Sequence, residues 1–475
     1  MARLWTDENK FGMWLKIELA VLKAREMLEQ IPAGTYDFIC SKTWMDESVV
    51  QVINRRDERI KHDLNAFIEI MRLQIMRSKE AFRDLFALPD DVVFHEVVRL
   101  DLAARQVAHK ANFFHAGMTS YDTQEGAMSL IMIEACQMIF AALINLREAL
   151  RTRAMRHRGQ PMLFRTHGQD AQPGTFGLLC LTWLDLVDRA MKRLGQAQEE
   201  ISVIKLSGAV GVFGTLGPDV EDRVAKALFL KPVISTQILP LDRKAHLMNT
   251  LAEVAAVLGK IEEDLWFLSQ TAVGEIRESF GKDQKGSSAM PHKKNPIAVE
   301  NGRGLAALVR GYAGVMLEQA ARDRMQRVID HSSVERMIFP DAFGCLLYVI
   351  ERLTGVIENM EVWYGRMLEN IEASYGTFAS QEVAQLLIDK GMAAETAYRV
   401  VQEGSFIALE KRVHLKDLFT HDFERVWNQD YPANWEDARR LLRDEPRFAT
   451  CFDLTNWTRH EVRLYKRMGY LIIVD

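Results

Sequence analysis

Residues 242–273 read DRKAHLMNTLAEVAAVLGKIEEDLWFLSQTAV. Leu247, Leu251, Val254, Ala255, Leu258, Ile261, Leu265 and Leu268 recur at spacings of three and four, the signature of one apolar face of an α-helix. The pattern runs past about 25 residues, a length usual for bundle helices, whose faces pack between subunits as well as within one. A second long pattern runs from Ser129 to about Arg156, and a third through Phe67, Ile68, Ile70, Met71, Leu73, Ile75 and Met76. Only 12 prolines interrupt the 475 residues. Alternating strand patterns are scarce: short runs such as Ile204–Leu206 and Leu471–Val474 are the candidates. The expectation is an all-α chain in three parts: an N-terminal helical domain over 1–110, a central long-helix bundle over 111–365 and a C-terminal helical domain over 366–475.

Lys plus Arg total 60 against 65 Asp plus Glu, a net charge of −5. No basic excess draws the chain to nucleic acid, although a local cluster of cations can still hold a small anionic substrate. The five cysteines (Cys40, Cys136, Cys180, Cys345, Cys451) lie far apart with no CxxC or Cys/His cluster. Neither a zinc site nor a disulfide framework is expected, and no metal or cofactor is assigned. The N-terminus lacks the apolar run of a signal peptide. Met128–Leu146 is the most apolar stretch, but Glu134 and Gln137 interrupt it. A bundle helix is a better reading there than a membrane span. A cytoplasmic location without a membrane partner is the expectation.

One segment breaks the helical pattern: Gly286-Ser287-Ser288-Ala289-Met290-Pro291-His292-Lys293-Lys294-Asn295-Pro296. Glycine and two prolines make it a loop, and it gathers hydroxyls, ammonium groups, an imidazole and an amide. It lacks the GxxxxGK[ST] spacing of a P-loop. Composition alone allows a solvated basic turn.

GSSAMPHKKNP resembles the GSSxMPxKxNP signature of the fumarase/aspartase superfamily at every fixed position. The resemblance implies an enzyme that removes a proton from the carbon beside a carboxylate and expels a leaving group through an aci-carboxylate carbanion. It makes Ser287 the base. A serine needs surrounding charge and dipoles to serve in that way; Lys293 is the matched cation, and Ser288, Asn295 and Asn301 are matched substrate contacts. Arg165-Thr166-His167-Gly168-Gln169-Asp170 resembles a second signature region. It makes His167 the general acid, a task suited to imidazole at cellular pH, with Glu300 orienting it. His115-Ala116-Gly117-Met118-Thr119-Ser120-Tyr121-Asp122 resembles a third region, in which Thr119 and Ser120 hold carboxylates and His115 is the alternative acid. Thr119-Ser120 also reads as a helix cap, and both readings stand together. The fold implied is L-aspartase-like: three helical domains around a central bundle that assembles into a homotetrameric core, with sites shared between subunits.

Further stretches resemble the adenylosuccinate lyases: Trp5-Thr6-Asp7-Glu8-Asn9, Lys61-His62-Asp63, Lys205-Leu206-Ser207-Gly208-Ala209-Val210-Gly211, Ile234-Ser235-Thr236-Gln237 and His331-Ser332-Ser333-Val334-Glu335-Arg336. The likeness spans nearly the whole chain. It implies fumarate release from adenylosuccinate, giving AMP, and from SAICAR, giving AICAR. Gln237 would then touch the substrate, and Lys61, His62, Asp63, Arg327, Ser332 and Arg336 would bind it, cations and hydroxyls meeting its 5′-phosphate. Three departures bear on substrate recognition. The family's Arg-Tyr pair upstream of Trp5 has no counterpart, Asp170 replaces a histidine, and the Trp-His and Arg-Asp context around Arg327 is gone. A lyase or cycloisomerase of the same mechanism, acting on another succinyl or carboxymuconate-type compound, is the alternative. A scaffold that has lost catalysis would show damage at Ser287, Lys293, Asn295 or His167, and all four are intact.

Overall fold

The apolar spacing at 242–273 folds as one helix over Asp242–Ser269. In the computed structural model, which describes residues 1–84, 89, 94–95, 99, 110–322, 329–421 and 433–470, it is one of five long helices. We number the helices α1 (Asp7–Met27), α2 (Thr35–Lys42), α3 (Glu47–Ile60), α4 (Asp63–Met76), α5 (Lys79–Asp84), α6 (Ser120–Arg156), α7 (Phe176–Ile201), α8 (Pro218–Leu228), α9 (Asp242–Ser269), α10 (Ile297–Arg322) and α11 (Asp330–Asn359). Shorter helices follow, from Tyr364–Glu372 to Val462–Arg467. The all-α expectation holds.

The described strands are short and pair two by two: β1 (Pro161–Thr166) with β2 (Gln169–Thr175), β3 (Val203–Ile204) with β4 (Lys231–Pro232), and β5 (Ile276–Arg277) with β6 (Glu361–Val362). Ile204 is therefore in a strand as expected, but Leu206 is not. Leu471–Val474 lies outside the described residues. The β1–β2 hairpin departs from the helical expectation.

The residues form two compact units. One comprises Met1–Leu143, Ala190–Ala256 and Leu305–Val349; the other comprises Ile144–Arg189, Val257–Gly304 and Ile350–Asp475. Each long helix therefore gives one segment to each unit. In the first unit, α1 begins where Thr6 accepts a hydrogen bond from the Asn9 amide, and α3 where Asp46 accepts one from Val49, each satisfying an amide that the first helical turn leaves unpaired. Phe11, Trp14, Phe67 and Phe114 then pack at ring separations of 5.1–6.1 Å, within an apolar cluster that draws on α1 to α5, α6 and α8. In the second unit, a separate cluster includes Val383, Leu387, Val400, Leu415, Phe419, Trp435 and Phe448, with Phe419 stacked on Trp435 at 4.4 Å.

The apolar window of α6 is long and hydrophobic enough to cross a membrane, and half of it is buried inside the chain. Buried Asp122 and Glu125 sit in the first turns of that helix, each bonded to polar partners within the first unit.

In the second unit, the C-terminal end of α11 is closed by a side chain far away in sequence. The guanidinium of buried Arg153 donates to the carbonyls of Ile357 (2.6 Å), Glu358 (2.6 Å) and Met360 (3.1 Å). These carbonyls have no partner within the helix, and a cation there also complements the helix dipole. Replacing Arg153 by Met should therefore lower unfolding stability by about 2–4 kcal/mol, because several buried acceptors lose their donors together. Chemical denaturation followed by circular dichroism checks this; a loss within measurement error would refute the closing role.

Candidate functional site

The signature loop lies in the second unit and is closed on itself. Gly286 is buried, and the Asn295 side-chain amide donates to its carbonyl at 2.9 Å. A Cβ on Gly286 would stand 2.0 Å from the Lys293 carbonyl oxygen, so only glycine permits the approach. Within this closed loop, half-buried Ser287 presents its oxygen to two backbone amides, accepting from Ala289 (3.3 Å) and Met290 (3.1 Å). Donors aimed at an oxygen favour its negatively charged form.

Lys293, Asn295 and Glu300 line a cavity of about 810 Å³, together with Lys294, His292 and Arg277. Ser288 is exposed in the loop and Asn301 is exposed in the first turns of α10. The sequence reading missed Glu278, which lines the same cavity. Its carboxylate accepts from the amides of Val299 (2.8 Å) and Ala298 (3.2 Å) and so occupies the N-terminus of α10. Burial raises its pKa, against the lowering effect of those amides. No sequence pattern marked it, because its partners are backbone groups about 20 residues on.

His167 stands at the tip of the β1–β2 hairpin. Thr166 pairs with Gln169, leaving His167-Gly168 as a two-residue connection. Their φ angles are 55° and 74°, both positive, as a type I′ hairpin turn requires. The imidazole is exposed there. The hairpin base is held by Arg165, whose guanidinium donates to fully buried Glu275 at 3.0 and 3.3 Å and to Asp170 at 3.1 Å. Asp170 thus has a local task as partner to Arg165.

The remaining candidates lie in the first unit. His115 has φ 61°, and its Nδ1 is 2.7 Å from Glu18 Oε1. Glu18, 1% exposed, also accepts from the Thr123 hydroxyl at 2.6 Å. The sequence reading missed Glu18 too, although a carboxylate between Ile17 and Val21 on the buried face of α1 was a visible anomaly. Lys61 ends α3 at φ 54°, and His62 begins α4, its Nδ1 accepting from the Asn65 amide at 3.3 Å. Lys61, His62, Asp63, Ser120, Ser332 and Arg336 together line a cavity of about 370 Å³, and Arg336 approaches Asp63 at 3.6 Å. Arg327 lies outside the described residues.

Thr119 and Gln237 are tied to each other through a buried ion pair. Lys205 Nζ lies 2.7 Å from Asp122 Oδ1, with both side chains 0% exposed. It donates to the carbonyls of Gly208 (2.8 Å) and Gln237 (2.9 Å). Asp122 accepts from the Thr119 amide (2.8 Å) and the Gly208 amide (3.1 Å). Nearby, Lys244 lies 3.1 Å from Glu125 and 3.0 Å from Glu335. Burial pushes its pKa down, but the two carboxylates outweigh burial and hold the ammonium above the ordinary lysine range.

The family model described as lyase matches residues 2–311. The chain is 35% identical over 468 residues to the adenylosuccinate lyase of Thermotoga maritima, covering 98% of this chain and 97% of that one. It is 34% identical to the adenylosuccinate lyase of Deinococcus radiodurans, covering 99% and 98%. The chain belongs to the adenylosuccinate lyase family. Among solved structures, a fumarate lyase from Mesorhizobium sp. BNC1 superposes with a TM-score of 0.79 at 22% identity, covering 98% of this chain and 96% of that one. A 3-carboxy-cis,cis-muconate lactonizing enzyme from Pseudomonas putida superposes with a TM-score of 0.75 at 21% identity, covering 98% and 97%. These two establish the likeness of fold.

Family membership makes the closed loop testable through lyase turnover. Gly286→Ala should retain the helical signal yet lower kcat about a hundredfold, since displacing a reacting group by an ångström has an effect of that order. Steady-state kinetics and circular dichroism on the same sample check it; a kcat within twofold of wild type would show that the loop tolerates opening.

Proposed function

We propose that the chain eliminates fumarate from adenylosuccinate to leave AMP, and from SAICAR to leave AICAR, as a purine-biosynthetic lyase of the cytoplasm. The observation that carries the reading is the Ser287 oxygen turned toward two amides in the loop that also bears Lys293 and Asn295. As an alkoxide, Ser287 takes the proton from the succinyl carbon beside a carboxylate. The electron pair moves into that carboxylate as an aci-carboxylate, where the Lys293 ammonium and preorganised amides meet the developing charge; one such donor is typically worth about 3–4 kcal/mol. Collapse of the aci-carboxylate forms the fumarate double bond and breaks the C–N bond. His167, oriented by Glu300, protonates the departing nitrogen.

Thr119, Ser120, Gln237, Ser288 and Asn301 hold the succinyl group. Lys61, His62, Arg327, Ser332 and Arg336 meet the phosphate, and the described members of that set line one cavity. We also propose a homotetramer whose subunits share their active sites. Supporting it, Leu308, Val315 and Leu317 on α10 and Met337 and Tyr348 on α11 expose large apolar side chains in the single chain, as helix faces covered by another subunit do.

A second reading of the acid rests on one contact. His115 has its own carboxylate, Glu18, at 2.7 Å, and a carboxylate-oriented imidazole is an established form of general acid. His167→Ala and His115→Ala, compared by kcat, decide between them. The true acid loses about 10²–10⁴-fold in kcat, the contribution usual for such a group, whereas the other histidine acts mainly on KM.

Ser287→Ala should fold and assemble like the parent but lose about 10²–10⁴-fold in kcat with adenylosuccinate, the contribution usual for a general base. Ultraviolet absorbance follows both purine substrates. Near-normal turnover by the variant refutes Ser287 as base. Turnover by the parent confined to non-phosphorylated succinyl or carboxymuconate compounds overturns the substrate assignment while leaving the elimination mechanism.

A further inference from the structure

We propose that Lys205 and Asp122 are positioning residues for the lyase reaction: a buried ion pair that sets the Thr119–Ser120 hydroxyls and the Gln237 side chain in register before substrate arrives. The inference rests on the reading above, in which those three residues hold the succinyl group.

The geometry is specific. The Lys205 ammonium has three protons and three acceptors within 2.9 Å: Asp122 Oδ1 and the carbonyls of Gly208 and Gln237. An ammonium carries three donors and no acceptor, so every one of its protons is committed. Asp122 uses Oδ2 for the Thr119 amide, and Oδ1 for the Gly208 amide as well as Lys205. The backbone from which Thr119 and Ser120 project is thereby linked through two side chains to the backbone from which Gln237 projects. Two further contacts join the same segments: the Ser207 and Ser235 hydroxyls meet at 3.1 Å, and the Thr215 hydroxyl donates to the Gly117 carbonyl.

Stability alone does not call for this arrangement. A buried ion pair can often be replaced by apolar side chains of similar volume with no loss of stability. What such a replacement fails to restore is the directionality of hydrogen bonds to two particular carbonyls and two particular amides. Neither Lys205 nor Asp122 is exposed to a substrate, both being 0% exposed, so any effect on catalysis passes through the residues they hold.

The test compares Lys205→Met, Asp122→Asn and the double variant with the parent, using thermal melting, oligomeric state and adenylosuccinate kinetics. Lys205→Met leaves Asp122 charged, buried and uncompensated, and should melt lower than the parent. The double variant removes both charges and should regain most of that loss. Its KM should nevertheless remain raised about tenfold with kcat changed less than about threefold, the signature of lost ground-state placement. A double variant that regains both melting temperature and parental KM shows the pair to be merely structural and overturns the proposal. So does a folded Asp122→Asn with parental KM, which covers the case in which Lys205→Met does not fold. Absence of adenylosuccinate turnover in the parent defeats the substrate assignment instead, and the same comparison then runs on whichever succinyl compound the parent cleaves.

Discussion

Desolvation of charge is the constraint that organises the first unit. Lys205 and Asp122 are fully removed from water, and an ion pair survives there only if its remaining donors and acceptors are also met. The partners that meet them are backbone groups at 119, 208 and 237, so segments distant in sequence must converge. Once they converge, the Ser207–Ser235 and Thr215–Gly117 contacts join the same segments. Backbone at 119, 208 and 237 is thus drawn together by the geometry that two buried charges demand.

Lys244 shows a second use of the same physics. It links α9 to α6 through Glu125 and to α11 through Glu335. Long helices that meet along apolar stripes can slide by a turn at small energetic difference, because leucine packs against leucine in either register. A buried ammonium between two carboxylates has no second register. Burial works against its charge, and the carboxylates prevail. Polar groups inside helical interiors fix alignment that apolar contacts leave degenerate.

The long helices were legible because their information is local and periodic: the apolar spacing at 247–268 needs no knowledge of what lies opposite. The loop at 286–296 was legible because its residues resemble a family signature. The hairpin at 161–175 carries no plain strand signal in its sequence. Its sequence, PMLFRTHGQDAQPGT, lacks clean alternation, and the pairing irregularity between Leu163 and Arg165 breaks the period further. The turn residues His167-Gly168 carry the conformational signal, but glycine in second place preceded by histidine is a weaker mark than Asn-Gly. Glu278 and Arg153 have backbone partners about 20 or more residues away, which leave no local pattern, whereas Glu18 carries a local mark as a carboxylate on an apolar helix face.

The backbone at three candidate residues shows where local economy gives way. Lys61, His115 and His167 adopt φ of 54°, 61° and 55°, a region that costs an ordinary side chain roughly 1 kcal/mol or more. Lys61 has a structural reason, since the residue ending a helix commonly turns left-handed. His167 stands where a type I′ turn needs positive φ, and there asparagine or glycine satisfies the backbone with less strain. The turn alone therefore does not account for an imidazole at its tip. The side chain is exposed, so no packing within its own unit selects an imidazole at that position. At His115 the compensation is visible within the unit, as the Glu18 carboxylate that receives its ring nitrogen. The two histidines share a backbone geometry, but His115 rests against a buried carboxylate whereas His167 stands exposed at the tip of a turn.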